Sequence, residues 1–287
     1  MKRLIPLLIL SLAVLSSCFL VQDDYTVNRH ALIYSVDYGN DNENTLDNTV
    51  YDGIDMENAF TELGYVGTHR QNPTNTDILD DIAAHALIAG ETDITLFYFS
   101  GHGYEDEGIS YLVPYYDGGY DVISSQELYE ALDAVDGQKI IILDICNSGG
   151  FVSSSGYDVD GLPEDYGTTL SPSAFFESWT RFFSQEDIAL EFPDIHAISA
   201  AGRDELSYEH DTIQNGYYTY YLLETLGYDH ETNTLDITEM FADSDGDGDV
   251  SISELYGNTF DHFSDHVTLP YYSHISGGPI DPILIQY

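Results

Sequence analysis

Two stretches of the chain decide its fold: ITLFYFSGHG at residues 94–103 and IIILDICNSG at residues 140–149. Each opens with an uninterrupted apolar run, which is typical of a parallel strand that is covered on both faces. Each then changes to glycine and polar residues, which indicates that the chain leaves the sheet there. Between them we predict one helix, which begins at a capping pattern formed by Ser124 and Glu127. A right-handed crossover would place the two strands side by side, with both ends at one edge of the sheet.

Further strands and helices alternate along the rest of the chain. Strands that alternate with helices predict an α/β fold, in which a mostly parallel central sheet is flanked by helices. Sites in such folds form at the carboxyl ends of the strands. We predict strands at 30–37, 195–200 and 280–286, and helices near 56–63, 77–89 and 217–226.

The two strand ends carry His102 and Cys146, a pair suited to nucleophilic catalysis. A thiol is a weak nucleophile until it ionises, and a nearby imidazole promotes that ionisation. The neighbouring glycines let the backbone approach a substrate, where N–H groups can stabilise an oxyanion. A single Cys or His would be read as an inert thiol or a turn residue. Two glycine-flanked strand ends together favour the catalytic interpretation.

The pair of motifs, strand-S-G-H-G and strand-D-x-C-x-S-G, resembles the caspase–metacaspase–clostripain group of cysteine peptidases. The resemblance includes YLVP at 111–114 and spans roughly residues 30–287. It implies a caspase-like three-layer fold and hydrolysis of peptide bonds by a Cys-His dyad, here Cys146 and His102. The N–H of Gly103 would then contribute to the oxyanion hole. Asn147 stands where metacaspases usually have His, a position outside the dyad.

The acid that precedes the nucleophile bears on specificity. Asp144 lies two residues before Cys146. In metacaspases and clostripain-like enzymes, the Asp at that position resembles the floor of a pocket for Arg or Lys at P1, the residue before the cut bond. A carboxylate pairs well with a guanidinium group. Asp55, in the first helix, is a looser match to a second acidic pocket residue. The alternative for Asp144 is a capping or loop-ordering role.

A second motif, DSDGDGDVSISE at residues 243–254, matches the twelve-residue EF-hand loop. The pattern predicts a Ca²⁺ site, structural in role because it is a single hand, with flanking helices at 237–242 and 252–262. The alternative is an acidic surface turn. The predicted ligands are Asp243, Asp245 and Asp247 by side chain, Asp249 by its carbonyl, Ser251 through water and Glu254 as the bidentate ligand.

Three weaker signals involve possible metal sites and a long insertion. His262 and His266 have the spacing of a metal pair, but two surface histidines are the simpler interpretation. Asp117 and Asp121 lie where metacaspases have an activating Ca²⁺ site, and the match is partial. Residues 151–192 form an insertion after the Cys strand. It is either a helix packed on the domain or a lid or linker that is cut on activation.

The amino terminus predicts export and lipidation. Lys2 and Arg3 precede an apolar stretch that is too short to span a membrane. Residues 15–18, LSSC, resemble a bacterial lipoprotein signal, which is cut before the Cys, and Cys18 is then acylated. We therefore expect a signal peptide at 1–17, a tether at 18–29 and a peptidase domain at 30–287. Cys146 would remain as a single free thiol in an extracytoplasmic protein held to a bacterial membrane by lipid alone.

Net charge limits the possible partners. The formal charge of -44 argues against nucleic acid, since phosphates would be repelled. It suits cationic substrates, divalent metals or a high-salt habitat. We therefore expect protein or peptide substrates that are basic at P1. The alternatives are a calcium-binding surface lipoprotein without catalysis and a structural lipoprotein whose acidity serves salt tolerance, neither of which needs a dyad.

Overall fold

The computed structural model describes residues 27–39, 45–107, 109–116, 121–152, 192–202, 205–210, 212–267, 273–276 and 281–287. The strands are β1 (Arg29–Ser35), β2 (Val66–Gln71), β3 (Ile94–Ser100), β4 (His102–Asp106), β5 (Ile109–Val113), β6 (Ile123–Ser124), β7 (Gln138–Asp144), β8 (Ile195–Ser199), β9 (Glu209–His210), β10 (Asn215–Gly216), β11 (Tyr228–Asp229), β12 (Thr234–Leu235), β13 (Asp249–Ser251), β14 (His274–Ser276) and β15 (Ile283–Gln286). The helices are α1 (Thr49–Glu62), α2 (Asn75–His85), α3 (Ser125–Asp133), α4 (Tyr217–Thr225) and α5 (Ile252–His266), with a 3-10 turn at Ser148–Phe151.

A six-stranded sheet runs through the described residues in the order β14–β8–β7–β3–β1–β2. Its strands pair in parallel, except that β14 runs antiparallel to β8 at one edge. The two strands that decide the fold, β3 and β7, lie side by side at the centre, as the crossover predicted. Every residue of β3 is buried, which explains why its sequence is apolar without alternation.

Helices cover both faces of the sheet and give the fold three layers. The helices α1, α4 and α5 pack on one face, and α2 and α3 pack on the other. Successive residues of β3 and β7 point to opposite faces, so both strands contribute to both cores. The first core contains Phe60, Leu222 and Leu255 with Leu96 and Ile142 of the sheet, and the second contains Ile82 and Leu132 with Phe97 and Ile141.

The predicted fold class is confirmed, and most element ends fall within a few residues of their expected positions. The helix predicted at 237–242 is wrong: these residues form turns. The N–H groups of Phe241 and Ala242 bond the carbonyl of Thr225, at the end of α4, and so are not available to a helix of their own. The helix after the EF-hand motif is present and continues to His266.

The predicted signal peptide and Cys18 lie outside the described residues, as does almost all of the insertion at 151–192. In the part of the chain that the structure describes, each helix is too short or too polar to cross a membrane.

Candidate active site

The ends of β3 and β7 meet at one edge of the sheet. Ser100 is the register partner of Asp144 in the parallel pair. The N–H of Gly101 lies 3.4 Å from the carbonyl of Asp144, so contact continues beyond the last paired residues. His102 and Cys146 each follow this pair by two residues. The structure thus brings the two predicted dyad loops together at the carboxyl edge.

Gly103 lies directly against the Cys146 loop. A Cβ placed on Gly103 would stand 2.3 Å from the Cys146 carbonyl oxygen and 2.8 Å from Cδ1 of Ile145. On the next strand, the hydroxyl of Ser110 donates a 2.7 Å hydrogen bond to the Asn147 carbonyl. The β4–β5 hairpin is therefore fixed on the Cys146 loop, and only glycine permits this approach at position 103.

The Tyr38 ring holds His102 in place. The two rings are stacked with centroids 4.5 Å apart. The Tyr38 hydroxyl accepts a 2.9 Å hydrogen bond from the His102 N–H and donates to the Val113 carbonyl. Tyr38 is 2% exposed, so its ring is a fixed support. This contact orients the imidazole, and no sequence pattern predicted it.

The Cys146 thiol is half-buried and donates to the Ser207 carbonyl over 3.6 Å. Burial raises the pKa of this thiol, and the charge of Asp144 raises it further. Ionisation of the thiol in this environment requires a base that accepts its proton. An imidazole supplied by the neighbouring loop fits that role.

Asp52 and Asp144 form a buried acid pair close to Cys146. Their residues are 1% and 5% exposed. A Cβ placed on Gly216 would stand 2.3 Å from Oδ2 of Asp144 and 3.3 Å from Oδ2 of Asp52, so both carboxylates flank the same glycine. Burial raises the pKa of both carboxyls, and Asp144 raises the pKa of Asp52 further. Among the described residues, neither acid forms an ion pair with a Lys, Arg or His side chain.

The acid pair also caps α4. The N–H of Gly216, the residue before the helix, donates to Asp52 over 2.8 Å. The N–H and hydroxyl of Thr219 donate to Asp144 over 3.1 and 2.7 Å. Negative charge is favourable at a helix amino terminus. The helix therefore partly stabilises these two carboxylates, which have no ion-pair partner among the described residues. The capping role weighed for Asp144 from the sequence is thus present in the structure.

Ser207 connects Cys146 with the acid pair. Its hydroxyl donates to Oδ1 of Asp144, and its carbonyl accepts from the Cys146 thiol. Ser100 donates to Oδ2 of Asp52 over 2.7 Å. Ser207 therefore bridges the Cys146 sulfur and the acid pair.

Asp55 lies in a different environment from the acid pair. Its carboxylate accepts from the Asn215 amide over 3.1 Å and from the Tyr228 hydroxyl over 3.0 Å, and it lies 3.4 Å from the His230 ring. The acid beside Asp144 is Asp52, one helical turn earlier. The sequence analysis did not predict Asp52, because residues at i and i+3 share a helix face and the sequence pattern does not show which of the two acids faces Asp144.

The EF-hand motif forms an acidic loop between α4 and α5. Ligand oxygens of Asp243, Asp245 and Asp247 lie within 4.8 Å of one another. Gly246 and Gly248 have φ of +75° and +91°, which turns the chain around this cluster. Glu254 accepts from Ser244 over 3.1 Å and so reaches back to the start of the loop.

Two further contacts tie this loop to the rest of the fold. The loop pairs with the carboxyl-terminal strand, where Asp249 lies opposite Gln286. Ser251 and Glu254 form a reciprocal cap at the start of α5. The donor set is entirely oxygen, which fits a hard cation such as Ca²⁺.

The other candidate metal residues, His262 and His266, lie side by side with ring centroids 4.7 Å apart, but they are not part of a group of three ligands among the described residues. His262 bonds Glu224 over 2.9 Å, and His266 bonds the carbonyl of His262, so both are occupied within the protein. Asp117 lies outside the described residues. In the described residues, the three EF-loop aspartates form the one group of three or more candidate ligands.

Fold and site together define a peptidase domain with a half-buried cysteine at a strand end. The chain belongs to the caspase domain family, whose model matches residues 28–246. It is therefore a caspase-type cysteine peptidase domain, which acts on proteins or peptides.

Two solved structures are similar across most of their length. A protein from Geobacter sulfurreducens matches with 18% identity and a TM-score of 0.58, over 91% of this chain and 97% of its own. Caspase-1 from Spodoptera frugiperda matches with 14% identity and a TM-score of 0.55, over 91% and 93%. Likeness at this identity shows the caspase-like fold alone. A search of curated proteins gave no match.

Proposed function

We propose that this protein is a cysteine endopeptidase that cuts after Arg or Lys, with Cys146 as nucleophile and His102 as base. The observation that carries the proposal is the buried acid pair Asp52–Asp144, which Ser207 connects to the Cys146 sulfur. A long cationic side chain next to the cut bond would reach this pair from the sulfur.

The reaction runs in two steps. Cys146 gives its proton to His102, and the sulfur attacks the carbonyl carbon, while the N–H of Gly103 stabilises the oxyanion. The C–N bond breaks, the leaving nitrogen takes the proton from His102, and a thioester remains on Cys146. Water then attacks the thioester and gives its proton to His102. The acid is released and the thiol regains its proton.

Electrostatics support a basic residue at P1. Two buried carboxylates with raised pKa values repel each other, and a guanidinium or ammonium group between them would favour their charged forms. Each carboxylate has about four acceptor sites. Asp144 accepts from Ser207 and twice from Thr219, and Asp52 accepts from Ser100, Gly216 and Asn215, so about one site remains on each. An acidic P1 residue would add a third negative charge.

A positional P1 substrate library, assayed with and without Ca²⁺, tests this proposal. We expect cleavage after Arg and Lys and none after Asp. Cys146→Ala and His102→Ala should each abolish cleavage while the protein remains folded by circular dichroism. Preference for Asp, or full activity in Cys146→Ala, would refute the proposal.

Calcium and a lipid anchor belong to the same proposal. The EF-hand loop binds one Ca²⁺ through Asp243, Asp245, Asp247, Asp249, Ser251 and Glu254. Acylation of Cys18 holds the domain outside the cytoplasm on a bacterial membrane. Acyl labelling that disappears in Cys18→Ser tests the anchor. The competing function, a catalytically silent calcium-binding lipoprotein, would show the same calcium and lipid results with no cleavage of any library member.

A further inference from the structure

A strip of partly exposed side chains, most of them aromatic or aliphatic, starts at His102 and runs along one face of the β4–β5 hairpin. In the antiparallel register, His102 lies opposite Val113, Tyr104 opposite Tyr111, and Asp106 opposite Ile109. Alternate residues of a strand share a face, so these three pairs point to the same side. Tyr104 and Ile109 are 39% and 43% exposed, although both are large and apolar.

The tyrosine pair within the strip is ordered. The rings of Tyr104 and Tyr111 are stacked, with centroids 4.9 Å apart and an interplanar angle of 13°. The other face of the hairpin holds the pair in place, because Gly103 lies against Cys146 and Ser110 bonds Asn147. A flat, fixed and partly exposed aromatic surface is suited to binding another apolar side chain.

The position of the strip indicates its occupant. In the proposed reaction, His102 gives a proton to the leaving nitrogen, so the substrate segment after the cut bond must pass that side chain. Two residues along the strand correspond to about 7 Å, which is within reach of the first side chains of the leaving segment. The acid pair, by contrast, is connected to the sulfur through Ser207.

We infer that Tyr104, Tyr111 and Ile109 form the subsite for the substrate residues that follow the cut bond, and that this subsite selects aromatic or large aliphatic side chains. The inference rests on the proposed function, because it uses the direction in which His102 transfers the proton. It adds a second specificity determinant, independent of the P1 residue.

The test compares three substrates with the same Arg at P1. Two are quenched fluorescent peptides with Phe or Ser in the two positions after the cut bond. The third is an aminocoumarin amide, which has no residues there. The variants are Tyr104→Ser, Tyr111→Ser and Tyr104→Phe, with Leu87→Ser as the control. Leu87 is 86% exposed and lies beyond the end of α2.

We expect wild type to prefer the Phe peptide over the Ser peptide. In both serine variants, kcat/KM for the Phe peptide relative to the coumarin amide should fall about tenfold, the lower range of what a hydrophobic subsite contributes. The fall should appear as a higher KM, because the contact binds ground state and transition state alike. Tyr104→Phe and Leu87→Ser should keep the wild-type ratio.

Two results would overturn the inference and leave the proposed function intact. One is a wild-type enzyme that cleaves the coumarin amide and shows no preference between the peptides. The other is an equal loss on the Phe peptide and the coumarin amide in the serine variants, which indicates a structural role only. A wild type that cleaves none of the three Arg substrates overturns the proposed function, and this inference with it.

Discussion

At the scale of single residues, Ser207 contacts both the thiol that we propose as nucleophile and the acid pair that we propose to bind the P1 side chain. Its carbonyl contacts the Cys146 thiol and its hydroxyl contacts Asp144. Asp52 completes the acid pair from α1, and Ser100 and Gly216 contact it. Cys146 and the acid pair are therefore connected through Ser207, and we expect a substitution at either acid to change the preference for the P1 residue.

We predict that Asp144→Asn and Asp52→Asn each weaken catalysis after Arg by about 2–5 kcal/mol, the range for removing one partner of a buried charge pair. Measurement of kcat/KM on matched peptides with Arg or its uncharged analogue citrulline at P1 isolates the charge. Both variants should cleave the Arg and citrulline peptides with similar kcat/KM. Asp55→Asn is the control, because its carboxylate is occupied by Asn215 and Tyr228. If Asp55→Asn alone loses the Arg preference, the acid pair is not the pocket.

The acid pair also gives a pH signature. The raised pKa values mean that the native state keeps protons that the unfolded chain has lost. The free energy of unfolding should therefore fall as pH rises from about 4, the unfolded aspartate value, to the raised pKa values. Urea denaturation between pH 4 and 7 measures this slope. In Asp52→Asn the slope should be smaller, and an unchanged slope would contradict the raised pKa of Asp52.

Sequence reasoning at this scale predicted the residues that a motif contains. His102, Gly103, Cys146 and Asp144 stand at strand ends, and the register places those ends together. Tertiary contacts between segments that are distant in sequence leave no such local pattern. Tyr38 behind His102 and Ser207 beside Asp144 come from distant segments, and each is a common residue type in an ordinary loop.

At the scale of elements, the site depends on how closely the β4–β5 hairpin approaches the nucleophile loop. Gly103 provides that approach. The α4 helix contributes from the other side, because its amino terminus is capped by the acid pair. Movement of either element would separate groups that the proposed reaction needs together.

We predict that Gly103→Ala reduces kcat/KM by 100-fold or more, on the order of removing one oxyanion donor. The added methyl would stand 2.3 Å from the Cys146 carbonyl oxygen and push the loops apart. Gly39→Ala is the matched control, since its nearest neighbour would be 3.4 Å away, an ordinary contact. Thermal melts confirm that both variants fold. Wild-type activity in Gly103→Ala would contradict the proposed role of Gly103 in the oxyanion hole.

The EF-hand loop gives a separate prediction at the same scale. Clustered carboxylates repel when no cation is bound, and Ca²⁺ that binds only the native state stabilises it by about 2.7 kcal/mol at a hundredfold excess over Kd. For a chain of this size, that corresponds to roughly 5–10 °C in Tm. Millimolar Ca²⁺ should raise Tm relative to EDTA, and Glu254→Gln should remove most of the shift.

A second variant separates metal binding from helix capping. Glu254 also caps α5 through Ser251, so its substitution alters the apo protein as well. Among the residues that the structure describes, Asp245 accepts a hydrogen bond only from the nearby N–H of Asp247, so Asp245→Asn changes charge with little else. It should lose part of the Ca²⁺ shift, while its Tm in EDTA should be no lower than that of wild type, because one repelling charge is removed. Equal wild-type melting in Ca²⁺ and EDTA would refute the calcium site.

Elements with strong patterns were predictable, and elements without them were not. The buried strands β3 and β7 and the helix after the EF-hand loop follow from apolar runs and capping residues. The helix predicted at 237–242 failed because Thr225, outside that segment, takes its N–H groups. A tertiary acceptor of this kind cannot be seen in local sequence.

At the scale of the whole molecule, the residues proposed for catalysis follow the carboxyl ends of β3 and β7, while the chain enters β1 at the opposite edge of the sheet. The formal charge of -44 favours cationic peptides as substrates and repels anionic ones. Raising ionic strength should weaken that attraction, because salt screens exposed charges over about 10 Å at 0.1 M.

The central claim, that Cys146 attacks the bond after a basic residue, is tested most directly with an irreversible affinity label. A peptidyl acyloxymethyl ketone with Arg at P1 is compared with the same compound carrying Asp, and peptide mass spectrometry locates the adduct. We predict one adduct on Cys146 with the Arg compound, none with the Asp compound, and none in His102→Ala. Equal labelling by both compounds, or no labelling of Cys146 by the Arg compound in folded protein, would contradict the account.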